Sequence, residues 1–140
     1  MGSRDGCFVA RAITRSKYSS EEELISFDPS GHVRWRIKRD YSGGDAALFS
    51  STDVTVTTRG LVAVLDVIRN TVQLFSAKGE FIRVWKLQEI WGRVPSYPTD
   101  TAADTNGGVL IKDFQGKPPV VRMDANGKVI SQLLRTYLAS

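Results

Sequence analysis

The pentapeptide FDPSG, Phe27 to Gly31, is echoed by FSAKG at Phe75 to Gly79 and by MDANG at Met123 to Gly127, with the three glycines spaced 48 residues apart. Glycine takes positive φ at no steric cost, and an Asp such as Asp28 or Asp124 can bond to the backbone inside the turn. A D/S-x-x-G stretch flanked by apolar residues therefore predicts a tight hairpin. The likeness extends outward on both sides. Leu24, Val72 and Val120 lie seven before the glycine, Val33, Phe81 and Val129 two after it, and Ile37, Trp85 and Leu133 six after it. Each copy thus supplies two antiparallel strands, the third and fourth of a larger unit.

Upstream, a turn dipeptide feeds a short apolar run in each unit: Asp5-Gly6 before CFVA, Arg59-Gly60 before LVAV, and Asn106-Gly107 before GVLI. Such runs read as second strands buried on both faces. DVTVT at Asp53 to Thr57 and DTAAD at Asp100 to Asp104 read as first strands, and nothing comparable precedes Gly6. About eleven strands are expected. The one helix signal, SSEEELI, is claimed at its end by the repeat, so Ser16 to Glu22 is expected to form an enlarged loop. The linkers KRDYSGGDAALFSS and QEIWGRVPSYP would carry the chain from the outer strand of one unit to the inner strand of the next.

Four-stranded antiparallel units of this length suggest blades of a β-propeller. The expected fold class is all-β, a single repeat domain over residues 1–140. Blade 1 covers about 4–38 and lacks its first strand, blade 2 about 52–87 and blade 3 about 99–134. Between Asp53 and Leu87, DVTVTTRGLVAVLDVIRNTVQLFSAKGEFIRVWKL resembles an NHL repeat, through Val64-Leu65-Asp66, Gln73-Leu74-Phe75 and Lys78-Gly79-Glu80-Phe81. Asp113 matches Asp66 in the next unit. The sequence departs from the family pattern at Arg69 and Thr71, and at Gly116-Lys117-Pro118-Pro119 in the third unit.

Composition narrows the function. A chain of 140 residues with 41% hydrophobic content can build one packed domain. No apolar run reaches the length of a spanning helix and no signal peptide is visible, so no membrane role is expected and a cytoplasmic location is the default. Cys7 is the single cysteine and His32 the single histidine. That excludes an intrachain disulfide and zinc sites built from several such ligands; a Cys7–His32 dyad stays formally open beside a buried thiol. The charge of +4 is densest in RWRIKR. Alternation there places Arg34, Arg36, Lys38 and Arg39 where they could meet a polyanion, although a solvated strand face is the commoner use.

Three blades cannot comfortably close a ring, and open ends would leave two apolar blade faces in water. The expected assembly is a homodimer with six blades, or a split propeller completed by another chain. The missing inner strand could come in trans from Arg135-Thr136-Tyr137-Leu138. The leading functional expectation is a noncatalytic, self-assembling scaffold that binds a ligand or protein through loops holding Tyr41, Trp91 and Tyr97. Trp91 could instead plug a blade interface. Asp53, Asp100 and Asp104 fall near one mouth of a channel, and the first two are added to the ligand set. Asp66 and Asp113, with Gly31, Gly79 and Gly127, are read as turn residues, the alternative for the two aspartates being a cation in the channel. No cofactor or resident metal is expected. Two further readings are a calcium-dependent six-bladed hydrolase or lactonase, and RNA binding on a basic face as in some NHL proteins.

Overall fold

Among the described residues, one kind of tight turn is used five times. Asp28 N donates to His32 O at 2.8 Å while Gly31 N donates to Asp28 O at 3.0 Å, and the same pair of bonds closes turns headed by Thr57, Ser76, Asp104 and Asp124. The glycine of each, at 31, 60, 79, 107 and 127, has φ between 80 and 88°. The head residue fixes the turn from within: Asp28 Oδ1 accepts Ser30 N and His32 N, each at 2.9 Å, and Ser76 Oγ accepts Lys78 N and Glu80 N at 3.2 Å. Thr57 Oγ1 serves Arg59 and Leu61 in the same way. Three of these turns are the outer hairpins. The other two join the first and second strands of their units, a recurrence the 48-residue pattern alone does not display.

The computed structural model describes residues 8–91, 98–113 and 119–133. Strands β1 (Phe8–Arg15), β2 (Ser20–Phe27) and β3 (Val33–Lys38) form the first sheet; β4 (Asp53–Val56), β5 (Val62–Asp66), β6 (Thr71–Phe75) and β7 (Phe81–Lys86) the second. A five-residue helix α1 (Leu87–Trp91), not anticipated in the linker, precedes the third sheet of β8 (Pro98–Ala103), β9 (Val109–Asp113), β10 (Val120–Met123) and β11 (Val129–Leu133). Every pairing is antiparallel between neighbours in sequence. Each outer hairpin carries a bulge at one repeat position, Ser26/Phe27, Leu74/Phe75 and Arg122/Met123. The extra residue bends and twists the outer strand next to its turn.

The sheets stack face to face, with β4 beside both β1 and β8. Two apolar layers result. Val9, Leu24, Leu48, Val54, Val56, Val62, Val64 and Phe75 fill the first junction, with Trp35 and Ile37 against them. Ala63, Leu65, Val72, Leu74, Trp85, Leu87, Val109, Ile111, Val121 and Met123 fill the second. The middle sheet is therefore covered on both faces: all of β5 and all of β6 are buried. The expectation that every second strand is buried on both faces holds only for β5. On β9 burial alternates, and most of β1 beyond Val9 is half-buried or exposed, because each end sheet has a neighbour on one side only.

The expected loop over Ser16 to Glu22 is corrected. The β1–β2 ladder continues through Ile13↔Glu22, Thr14↔Glu21 and Arg15↔Ser20, and only Ser16 to Ser19 turns. The register gives the reason. Ala12 stands at the position held by Asp66 in β5, opposite Glu23 as Asp66 is opposite Thr71. Asp66 Oδ1 accepts the N–H groups of Ile68 and Arg69 at 3.0 and 2.9 Å and so turns the chain at once. An alanine offers no acceptor, so the strand runs on until Ser16 supplies one to Ser19 N at 3.1 Å.

Candidate functional site

Where the first sheet departs from the second, it builds a polar cleft. Glu22 occupies the position of Asn70, which turns the middle sheet with φ 53°; both give their carbonyl to the residue following the outer strand, Arg39 N at 2.8 Å and Leu87 N at 2.9 Å. A buried leucine in the middle sheet thus becomes an arginine in the first, and the asparagine becomes its counter-ion. Glu22 is 2% exposed. Its carboxylate accepts Ser51 N at 2.8 Å and Arg11 Nε at 3.1 Å, and further bonds from the Ser51 hydroxyl and Arg39 Nη2. Burial pushes its pKa up, but the bonds from Ser51, Arg11 and Arg39 outweigh that and hold it below the ordinary value.

Arg39 carries the network outward. Its Nη1 donates to Tyr41 Oη at 2.9 Å, and its guanidinium lies 5.6 Å from the Tyr41 ring centroid. The hydrogen bond to Tyr41, with those to Glu22, raises the arginine's pKa. The other edge of Tyr41 meets Phe49 at 5.6 Å in a T-shaped contact, and Phe49 in turn sits under Arg69 at 5.4 Å. Tyr41 is held between Arg39 and Phe49 and is still 67% exposed. With Lys38, Arg39, Thr14, Ser20 and Glu21 to Glu23 it lines a cavity of about 220 Å³.

The linker behind this cleft is tied to the middle sheet. Arg69 Nη2 and Gln73 Nε2 reach Ala47 O at 2.7 and 2.8 Å, and Asp66 Oδ2 accepts Ser50 N at 3.3 Å and Arg69 Nε at 2.9 Å. Asp66 is thus a fully buried turn acceptor. Asp113 is equally buried, its N–H donating to Pro119 O at 2.8 Å.

The remaining expected residues are scattered. Asp53 Oδ2 accepts both Thr101 N and Thr101 Oγ1, at 2.8 and 3.0 Å, and so joins β4 to β8. Asp100 is exposed on β8. On β3, Arg34, Arg36 and Lys38 alternate with half-buried Trp35 and Ile37. Arg36 pairs with Glu23 at 2.8 Å, so part of the basic stripe is neutralised within the sheet. Tyr97, Cys7, Arg135 to Leu138 and the side chain of Trp91 lie outside the described residues. His32 is exposed, 3.4 Å from Asp28.

Glu22, Arg11 and Ser51 were missed in the sequence, as was the Asp104–Arg122 pair in the third sheet. A repeat-aligned comparison could have flagged Ala12 against Asp66 and Arg39 against Leu87. No group of three or more metal-ligating side chains comes together among the described residues, and no described helix is long and apolar enough to cross a membrane.

No protein-family model and no curated protein matches the chain. Solved structures do. A protein of unknown function from Bacteroides caccae aligns over 97% of this chain and 46% of its own, at 11% identity and TM-score 0.59. A catalytically inactive virginiamycin B lyase from Staphylococcus aureus, solved with quinupristin, aligns over 88% of this chain and 44% of its own, at 13% identity and TM-score 0.54. A streptogramin B lyase covers 88% and 43%, at 18% identity and TM-score 0.50. Likeness at this identity is one of fold, and the fold is that of β-propeller blades. The chain spans less than half the length of the propellers it matches.

Proposed function

We propose that the chain is a noncatalytic β-propeller scaffold of NHL type that self-assembles and binds a ligand or protein partner at its rim. The observation that carries this reading is the posture of Tyr41, an exposed aromatic fixed by Arg39 and Phe49 at the mouth of a cleft. A side chain already immobilised loses little entropy on contact, which is what a binding anchor requires. The scaffold part rests on the middle sheet, whose two filled junctions show the packing each end sheet lacks on one side. Two copies would supply six blades.

Screening the 140-residue chain on glycan and peptide arrays, followed by calorimetry with Tyr41→Ala and Tyr97→Ala, tests the binding site. Y41A is expected to weaken a genuine ligand at least about tenfold. If both variants leave every ligand's affinity unchanged, the site is elsewhere. A calcium-dependent hydrolase or lactonase is the enzymatic alternative; the lyases among the structural neighbours show that propellers of this shape can host an enzyme. Calcium co-purifying in stoichiometric amount would favour it. The RNA-binding alternative is weakened by the pairing of Arg36 and Arg39 with Glu23 and Glu22, and a salt-sensitive shift with single-stranded RNA would restore it.

A further inference from the structure

Among the described residues, the first sheet reaches side chains into the second and the second into the third. At the rim, Trp35 Nε1 donates to Ala77 O at 2.9 Å, and its ring stands 2.9 Å from where a Cβ on Gly79 would be. One repeat later, Arg83 Nη1 donates to Asn126 O at 3.2 Å and Trp85 covers Gly127. Nearer the axis, Asp53 holds Thr101, and the stem of Arg59 covers Gly107. In these contacts the earlier sheet supplies the side chain and the later one the turn or strand that meets it.

The two ends of the chain are therefore unlike. The outer turn of the first sheet finishes on Gly31, with φ 88° and nothing within 4 Å of a Cβ there, although the same turn carries a tryptophan in the next two sheets. Beneath it, Ala10 and Phe27 occupy the repeat positions of Val64 and Phe75, which pack into the first junction; here Ala10 is exposed and Phe27 half-buried. At the opposite end, Leu110 and Val120 stand where Ala63 and Val72 pack into the second junction, and they too are only half-buried. The exposed charges on these faces are mixed, Glu21 with Arg36 and Lys38 on the first and Lys112 opposite Asp100 on the last.

We propose that the Asp28 to Gly31 turn is the socket for the outer strand of the third sheet of a second copy, so that two chains join head to tail in one ring. The inference rests on the self-assembly reading above and adds the surface, the register and the polarity. The internal junctions are its template. Because the chain spans 46% of one matched propeller and 43% of another, two copies come close to such a length. Head-to-tail contact closes under a two-fold axis, with both joints identical. The rim socket and the apolar faces form the joint.

Light scattering at micromolar concentration, with circular dichroism as the folding check, tests this on the whole chain. Gly31→Lys fills the socket, whereas Gly31→Asn carries the same backbone demand with a short side chain suited to positive φ. Val120→Glu blocks the opposing face and sits opposite Lys112 in its own sheet, a favourable cross-strand pair. Wild type and G31N are expected at twice 15.5 kDa. G31K and V120E, each folded, should dissociate at least about thirtyfold more readily; if G31K loses its strand signal, V120E alone decides. A monomeric wild type overturns the self-assembly reading itself. A dimeric wild type whose dimer survives both blocking variants overturns the socket and leaves self-assembly standing. Loss with G31K alone means the first sheets pair with each other, and growth into polymers means the ring does not close; either overturns the proposal.

Discussion

Glu22→Gln removes one charge from the junction between the first and second sheets and changes almost nothing in shape. The glutamine keeps a carbonyl oxygen for Ser51 N but loses the charge that draws Arg11 and Arg39. Hydrogen bonds to charged groups contribute roughly 1.5–3 kcal/mol each when buried. Here the arginine side chains are 37% and 20% exposed, so water replaces part of what is lost. The net cost is about 2 kcal/mol, or a fall in Tm of about 6 °C for a domain of this size. Urea unfolding at pH 7 should register it. The pH dependence identifies the cause. The folded pKa of Glu22 lies below the ordinary 4.5, so its contribution is full above about that value and is lost as pH falls through the lower folded one. The glutamine variant cannot titrate there, and the gap between the two proteins must narrow on acidification. A gap of constant size down to the pH where both unfold would show that Glu22 acts through packing alone. E22Q as stable as wild type at pH 7 would mean that the network contributes nothing.

Other substitutions probe the turns and junctions. Gly79→Ala carries the strain of positive φ and a Cβ 2.9 Å from Trp35, whereas Gly31→Ala carries the strain alone; thermal melting of the chain held monomeric should show losses of about 3 and about 1 kcal/mol respectively. Asp66→Asn leaves Arg69 and the N–H groups of Ile68, Arg69 and Ser50 competing for one neutral oxygen, and calorimetry should find a loss of about 2–3 kcal/mol. Gly108→Ala would drive its methyl group into the backbone carbonyl of Met123, and the third sheet should lose hydrogen-exchange protection in β9 and β10. Trp35→Phe keeps the ring but drops the bond to Ala77 O, a loss of about 1 kcal/mol in denaturant titration.

The strand order, the outer hairpins and the three-unit organisation were legible in the sequence because they are local. A D/S-x-x-G turn needs only its own five residues, and an apolar residue at a fixed offset marks the buried face of its own strand. The loop over Ser16 to Glu22 was misread for a reason also in the sequence: Ala12 replaces the turn-forming aspartate, and the acids that looked like a helix start belong to a strand. The buried charge network was not legible: once SEEEL is read as a strand, Leu24 marks Glu22 as the inward glutamate, but its partners are not given. That depended on β2 placing Glu22 on the junction face, with Arg11 across the strand pair and Ser51 from 29 residues away. The same holds for the grips between sheets. Trp35, Arg83 and Asp53 meet partners 42, 43 and 48 residues away, distances no periodic pattern reveals without the stack that brings the sheets together. The sequence by itself determined the blades, because hairpin chemistry is short-ranged. Only the tertiary structure decided which side chains cross each junction, because a side chain's partner across a sheet junction is fixed by packing.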